Sequence, residues 1–200
     1  MVFDPSYPDI DMDKFEKHNW SETVYGCGPE DLPSNMPKSR GLGMIVSVYV
    51  DSDPAGDTLT RRPRTVFLVY CNSALVYWMS KKHRSIEISS FGSKFCAMKV
   101  CTEYLQGLLF KLRMMVIGCD CPNFIYGDNQ SVLSNTTMPH PMLKKKSNYI
   151  AYHFVCEGTA RDEWRITYIS THENHSDMLT KPLSGGANCD KFFREILHHL

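Results

Sequence analysis

Three aspartates and one lysine in this chain are spaced so that they could meet. Asp51 follows an apolar run at 44–50, Asp128 follows a shorter run at 123–126, and Asp177 lies in the turn after 164–170. Each run has the length and the β-branched or aromatic content of a strand. In open α/β sheets, functional groups gather outside strand ends. Carboxylates brought together there repel one another unless a cation sits between them. Mg²⁺ meets that need, and two such ions about 4 Å apart can activate water and stabilise a leaving oxygen. The lysine is Lys94. It falls on the apolar stripe of a helix read over 91–115, whose other members are Phe91, Phe95, Met98, Cys101, Leu105, Leu108, Leu112 and Met115. A lysine on such a stripe either carries its ammonium past the core edge or meets acidic partners. Asp51, Asp128 and Asp177 are the partners at hand. Aspartate is common in any turn, so spacing alone leaves a plain turn as the other reading of each.

The elements that must position these groups follow from periodicity. Gly41 and Gly43 open the strand at 44–50; strands at 66–72 and 74–80 are separated by Asn72–Ser73, which predicts an antiparallel meander. The long helix at 91–115 is closed by Gly118. A short strand at 123–126, a short helix at 129–135, a Pro- and Lys-rich loop at 139–147 and a helix at 148–160 come next. Residues 164–170 alternate like a strand, Asn174 caps a helical turn through Leu179, and 190–199 form a last helix. Trp78 and Trp164 alternate within strands and read as core. The order β-β-β-α-β-α-α-β-α implies a mixed sheet with helices packed on it.

Composition sets the class. Two hundred residues suit one domain with appendages. The longest apolar runs, at 44–50 and 65–71, are far too short to span a bilayer. The acidic N-terminus lacks the apolar stretch of a secretory signal, so no membrane partner is expected. Eight cysteines include no CxxC pair and fall mostly in apolar periodic segments. This reads as a reduced, intracellular protein, cytoplasmic or nuclear, rather than a disulfide scaffold. Acids and bases number 22 each, but residues 1–40 hold eight acids against four bases, leaving the remainder mildly basic. Its cations cluster at Arg61–Arg62–Arg64, at Lys81, Lys82 and Arg84, and at Lys144, Lys145 and Lys146. Such runs are solvated surface in most proteins, and on a near-neutral body they also suit a polyanion.

Five local sequences occur in a telling order: YVDSDPAGD at 49–57, TRR at 60–62, SKK at 80–82, YGDNQ at 126–130 and SDMLTKPL at 176–183. The set resembles the ribonuclease H domain of copia-type LTR retrotransposon polyproteins, which follows the reverse transcriptase. The likeness covers roughly 41–183, with 1–40 resembling the connector from the polymerase and 184–200 left as a C-terminal helical tail. It implies an α/β, ribonuclease H-like five-stranded mixed sheet flanked by helices. It also implies four acids that bind two Mg²⁺ ions, or Mn²⁺, and cleave RNA in an RNA–DNA hybrid. Asp51, Asp128 and Asp177 match three of those acids as catalytic and metal-binding residues; Ser176 stands where the family has alanine. The fourth acid is a glutamate on the first helix, and that position here is Lys94.

Neither nearby acid is a natural replacement. Glu103 lies nine residues on, roughly 13 Å along the helix, and Glu87 precedes the helix. A lysine ammonium can satisfy the aspartates and exclude Mg²⁺, so charge reversal is expected to cost most of the activity. Asp53 and Asp57 read as turn residues. The HENH run at 172–175 is not a HExxH zinc site. In other ribonucleases H a histidine before the last acid assists product release, and by resemblance His172 or His175 would be that auxiliary residue, His175 being nearer Asp177; taken alone, each is a loop histidine. The resemblance places Lys81, Lys82 and Arg84 near the hybrid, and Lys144–Lys146 precede Tyr149 and Tyr152, which suits phosphate contact with stacking. Two functions therefore stand: a hybrid-cleaving domain impaired by Lys94, and a non-catalytic nucleic-acid-binding module or inert remnant.

Overall fold

The computed structural model describes residues 6–26, 28–29, 31–53, 62–83, 90–139, 149–180, 190 and 194. Its five strands are β1 (Val46–Asp53), β2 (Arg64–Cys71), β3 (Ala74–Lys82), β4 (Asn123–Gly127) and β5 (Trp164–Tyr168). They form one mixed sheet in the order β3-β2-β1-β4-β5. The first three make the antiparallel meander, turning at Asn72 with φ 54°, while β4 and β5 run parallel to β1. Three helices accompany them: α1 (Ser90–Met114), α2 (Gln130–Thr137) and α3 (Tyr149–Ala160). Short 3₁₀ turns occur at Met12–Lys14 and His175–Leu179. The five-stranded mixed sheet read from the sequence is the one observed. The last helix expected lies outside the described residues apart from Asp190 and Arg194.

Strand alternation divides the sheet into two faces. Val46, Val48 and Val50 of β1, with Phe67 and Val69 of β2, share one core with Phe95, Met98, Cys101, Leu105 and Leu112 of α1. Each large apolar side chain sealed there contributes about 1.5–3 kcal/mol. Trp164 is 1% exposed, and its indole N–H donates to the Val155 carbonyl at 3.1 Å. Its ring fits because residue 158 is glycine: a Cβ there would stand 2.0 Å from the ring.

The opposite face is covered by the N-terminal segment and the second 3₁₀ turn. The Phe15 ring meets Phe124 and Tyr126 at 4.9 and 5.3 Å, and Thr167 donates to the Lys14 carbonyl. Trp20 is buried in the main core, and Tyr25 bonds His153 on α3. The extended segment is thus strapped onto the sheet by its own aromatic residues.

Three expectations need correction. Leu109 is buried where Leu108 was expected, and Met115 is 66% exposed beyond the end of α1. The 3.6-residue period drifts away from the assumed stripe over so long a helix. Second, α1 is closed by Val116 rather than Gly118. Val116 has φ 66°, its N–H donates to the Arg113 carbonyl at 2.9 Å, and the Ile117 N–H donates to the Leu112 carbonyl at 3.0 Å. Those bonds make a Schellman cap, a place normally taken by glycine. Third, Trp78 is 55% exposed, because β3 is an edge strand and the described residues leave its indole more than half uncovered.

A β-branched residue in the left-handed region costs about 1–2 kcal/mol. Glycine removes that cost and loses about 0.5–1 kcal/mol through unfolded-state freedom. Val116→Gly is therefore expected to raise stability slightly, by up to about 1 kcal/mol in urea unfolding. A clear loss would mean that Val116 packing outweighs its backbone strain.

Candidate active-site crevice

The crevice opens where the parallel pairing of β1 with β4 ends, while β1 itself runs on beside β2 to Asp53. Val50 is in register with Gly127, so the next residues along, Asp51 and Asp128, are neighbours at the carboxyl edge of the sheet. The start of α1 brings Lys94 over the same point, and Met98, Val132 and Leu133 complete the walls. Lys94 Nζ lies 2.6 Å from both Asp128 oxygens and 3.2 Å from Asp51 Oδ1. The lysine is on the stripe as expected, and it meets acidic partners rather than water.

The charge does not balance, and this sets the electrostatics. One ammonium faces two carboxylates. Burial and the Asp128 charge raise the Asp51 carboxyl above its ordinary value, outweighing Lys94 and the Ser52 N–H. Asp51 is 5% exposed, and its Oδ1 lies outside hydrogen-bond geometry, so its attraction to Lys94 is electrostatic only. Burial alone would lower Lys94, but the Asp51 charge and the hydrogen bond and charge of Asp128 outweigh it and hold the ammonium above the ordinary lysine range. Thr171 adds a neutral donor to Asp128 Oδ2 at 3.2 Å.

Asp177 is held on a separate device, the second 3₁₀ turn, and is not grouped with Asp51 and Asp128. Asn174 is fully buried; its Nδ2 donates to the Val50 carbonyl at 3.1 Å, and its Oδ1 accepts from the Ser176 N–H and hydroxyl at 3.1 and 2.7 Å. This ties the 3₁₀ turn to the end of β1 and gives the Ser176 hydroxyl a partner. Within the turn, the Asp177 carboxylate accepts from the Thr180 hydroxyl at 3.2 Å. His175 stacks on Tyr49 at 4.3 Å and shares a hydrogen bond with the Tyr70 hydroxyl at 3.2 Å, so it pins the turn to β1 and β2. Among the described residues, no three His, Cys, Asp or Glu side chains are grouped to hold a metal.

The donor set around Asp51 and Asp128 does not fit Mg²⁺ as it stands. That ion demands six oxygens in near-octahedral array, whereas both oxygens of Asp128 already face an ammonium whose charge repels a second cation. Glu103 cannot compensate, since it pairs with Lys99 at 2.6 Å on the half-exposed side of α1. Glu87 and Asp57 lie outside the described residues. His172 is exposed on the loop.

The basic clusters fare unevenly. Lys81 and Lys82 are exposed at the end of β3; alternation sets Lys81 with Met79 and Lys82 with Trp78 and Ser80, although both lysines border the groove lined by Thr65, Met79, His83 and Val100 of α1. Arg84, Lys144, Lys145 and Lys146 lie outside the described residues. Sequence reading missed Thr171 and the Val50–Asn174 bond. Asn174 was legible only as a cap, a role it also fills.

Removing the ammonium leaves two buried carboxylates face to face. Lys94→Met is expected to cost about 3–5 kcal/mol in urea unfolding at neutral pH. The folded pKa of Lys94 is raised, so its contribution is complete below the ordinary value of about 10.4 and is lost as pH rises through the folded value. The stability gap between wild type and Lys94→Met should hold from neutral pH to about 10 and narrow at higher pH. A gap that grows with alkalinity would contradict this sign.

No family model matches the chain. It is 29% identical over 147 residues to the retrovirus-related Pol polyprotein from transposon RE2 of Arabidopsis thaliana, a match covering 72% of this chain and 10% of that protein. It is also 29% identical over 145 residues to the corresponding polyprotein from transposon TNT 1-94 of Nicotiana tabacum, covering 70% and 10%. The chain thus spans about a tenth of the length of the curated relatives it matches. Among solved structures, an RNase H1 in complex with an RNA/DNA hybrid superposes with a TM-score of 0.53 at 12% identity, covering 67% of this chain and 92% of that one. By sequence the chain is a homologue of the retrovirus-related Pol polyproteins of copia-type transposons, and its fold is that of an RNase H domain.

Proposed function

We propose that this chain is a hybrid-binding ribonuclease H-like domain in which Lys94 has taken the place of metal, so that cleavage of RNA in an RNA–DNA hybrid is largely lost. The observation that carries this reading is the ammonium 2.6 Å from both oxygens of Asp128 and 3.2 Å from Asp51. In the ancestral activity a divalent ion, Mg²⁺ or Mn²⁺, would supply the nucleophilic water and stabilise the leaving oxygen. Asp51, Asp128 and Asp177 are the residues that would serve it. Lys94 answers the carboxylate repulsion without water activation. It is a fixed counter-ion, and it leaves a crevice with structure but little chemistry.

Binding does not need that chemistry. Lys81 and Lys82 stand exposed at the rim of the sheet, and Arg84 with Lys144–Lys146 are further candidates by sequence for phosphate contact. Phosphate contacts of this kind release counterions, so affinity should fall steeply with salt. Within a polyprotein the domain would follow a reverse transcriptase, with 1–40 as the connector and 184–200 as a tail. An intracellular setting, cytoplasmic or nuclear, accords with six described cysteines that are all free thiols. No described helix is long and apolar enough to cross a membrane.

The test is a hybrid-cleavage assay with Mg²⁺ and with Mn²⁺ on wild type and Lys94→Glu, with metal binding followed by calorimetry. Wild type is expected to bind hybrid, bind metal poorly and cleave little. Lys94→Glu should recover metal binding and cleavage, and should lose stability without metal because more carboxylates then crowd one crevice. Full cleavage by wild type, or no recovery of metal binding in Lys94→Glu, would show that the lysine is not what silences the site. A wild-type chain that binds no hybrid at low salt would leave the inert-remnant reading.

A further inference from the structure

Among the described residues, the cover on the outer face of the sheet thins at β3, where only the Leu179 carbonyl is seen to reach Ser80. The N-terminal strap lies on β4, and the turn at His175–Leu179 lies against β1 and β2. Beyond it, Trp78 and Val76 stand 55% and 40% exposed. Trp78 is in register with Leu68, which is 1% exposed, so the indole borders a packed floor. Alternation puts Ser80 and Lys82 in the same outer row as Trp78. Arg64 is the register partner of Lys82, and its guanidinium donates to Ser80 Oγ at 3.0 Å, which fixes it on this row. Ser80 Oγ in turn donates to the Leu179 carbonyl at 3.2 Å. Arg62 is exposed just before β2, and Asp53, the register partner of Arg64 on β1, borders the inner flank. An open aromatic surface is thus followed, about 13 Å along the strand, by a group of cations.

We propose that this outer row of β3 is a track for an unpaired nucleic-acid strand, with a base stacked on Trp78 and the adjoining phosphates held by Arg64 and Lys82. The proposal rests on the nucleic-acid reading above and extends it from the hybrid to a single-stranded extension. An indole face accepts any base, and cations beside it follow the backbone. The guanidinium is already oriented, so it loses little freedom on meeting a phosphate. An apolar protein surface seated on Trp78 would instead have to desolvate the guanidinium at the end of the same row. Register also gives the track a direction. Asp51 pairs with Val66, and Val66 with Ser80, so the row starts beside the crevice and runs outward along the edge strand.

Trp20 and Trp164 are 3% and 1% exposed, so a collisional quencher such as acrylamide reads Trp78 selectively. The full chain is titrated with oligouridylate and, separately, with a blunt RNA–DNA hybrid, as wild type, Trp78→Ala, Trp78→Phe and the double variant Arg64→Ala with Lys82→Ala. Oligouridylate is expected to change the emission and shield it from acrylamide. Trp78→Ala should weaken single-strand binding about tenfold and leave blunt-hybrid binding unchanged; Trp78→Phe should recover most of the loss, and the double variant should flatten the salt dependence. Equal single-strand affinity in wild type and Trp78→Ala overturns the track, as does hybrid binding without any response to oligouridylate; both leave the hybrid reading intact. Failure to bind either ligand removes the hybrid reading and this one together.

Discussion

One ammonium shared between two carboxylates organises the centre of this molecule. The parallel pairing of β1 and β4 makes Asp51 and Asp128 neighbours whatever else the chain does, and their mutual repulsion in a buried crevice must be answered by a cation. Lys94 answers it from within the chain. Its stem lies on the buried stripe of α1, between Phe91 and Met98, so the core that locks the helix to the sheet also locks the charge in place. Fold and site are therefore coupled more closely than where an exchangeable ion does the same work. The coupling has a cost in chemistry: a lysine has no open coordination position and lowers the pKa of no water.

The same residues show what a sequence reveals and what it withholds. The sheet was legible because each strand carries its own alternation and each helix its own period. Asp51 and Asp128 were legible as aspartates that follow apolar runs, but only the parallel register of β1 and β4 makes them neighbours. The meeting of Lys94 with them was legible from a single polar residue on an apolar face. Asn174 was readable as a cap, but its bond to the Val50 carbonyl spans more than a hundred residues and leaves no local trace. Thr171 is equally silent, because a hydroxyl in a loop has too many alternatives. Trp78 was misread for a related reason: alternation assigns a face, and only the topology decides whether anything covers it. Val116 in a left-handed cap broke a local rule that the Schellman bonds of its neighbours override.

The two faces divide the labour. The α1 face is a sealed apolar core, which keeps Lys94 in register with the strand ends. The outer face is aromatic across β4, β1 and β2, where Phe15 meets Tyr126 edge-on and Tyr126, Tyr49 and His175 stack in turn beside Tyr70. It clamps the turn carrying Asp177 and the N-terminal strap, and among the described residues it leaves Val76 and Trp78 of the edge strand β3 exposed.

The central claim is that Lys94 is a permanent, protonated substitute for metal. Carbon-13 NMR of the lysine Cε resonances, with Lys94 assigned by its loss in Lys94→Arg, tests it without reference to activity. The account predicts that the Lys94 resonance titrates above the ordinary lysine value of about 10.4 and does not move when excess Mg²⁺ is added. A Lys94 that titrates at or below that value, or one that Mg²⁺ displaces from Asp51 and Asp128 into a solvent-like environment, would contradict it.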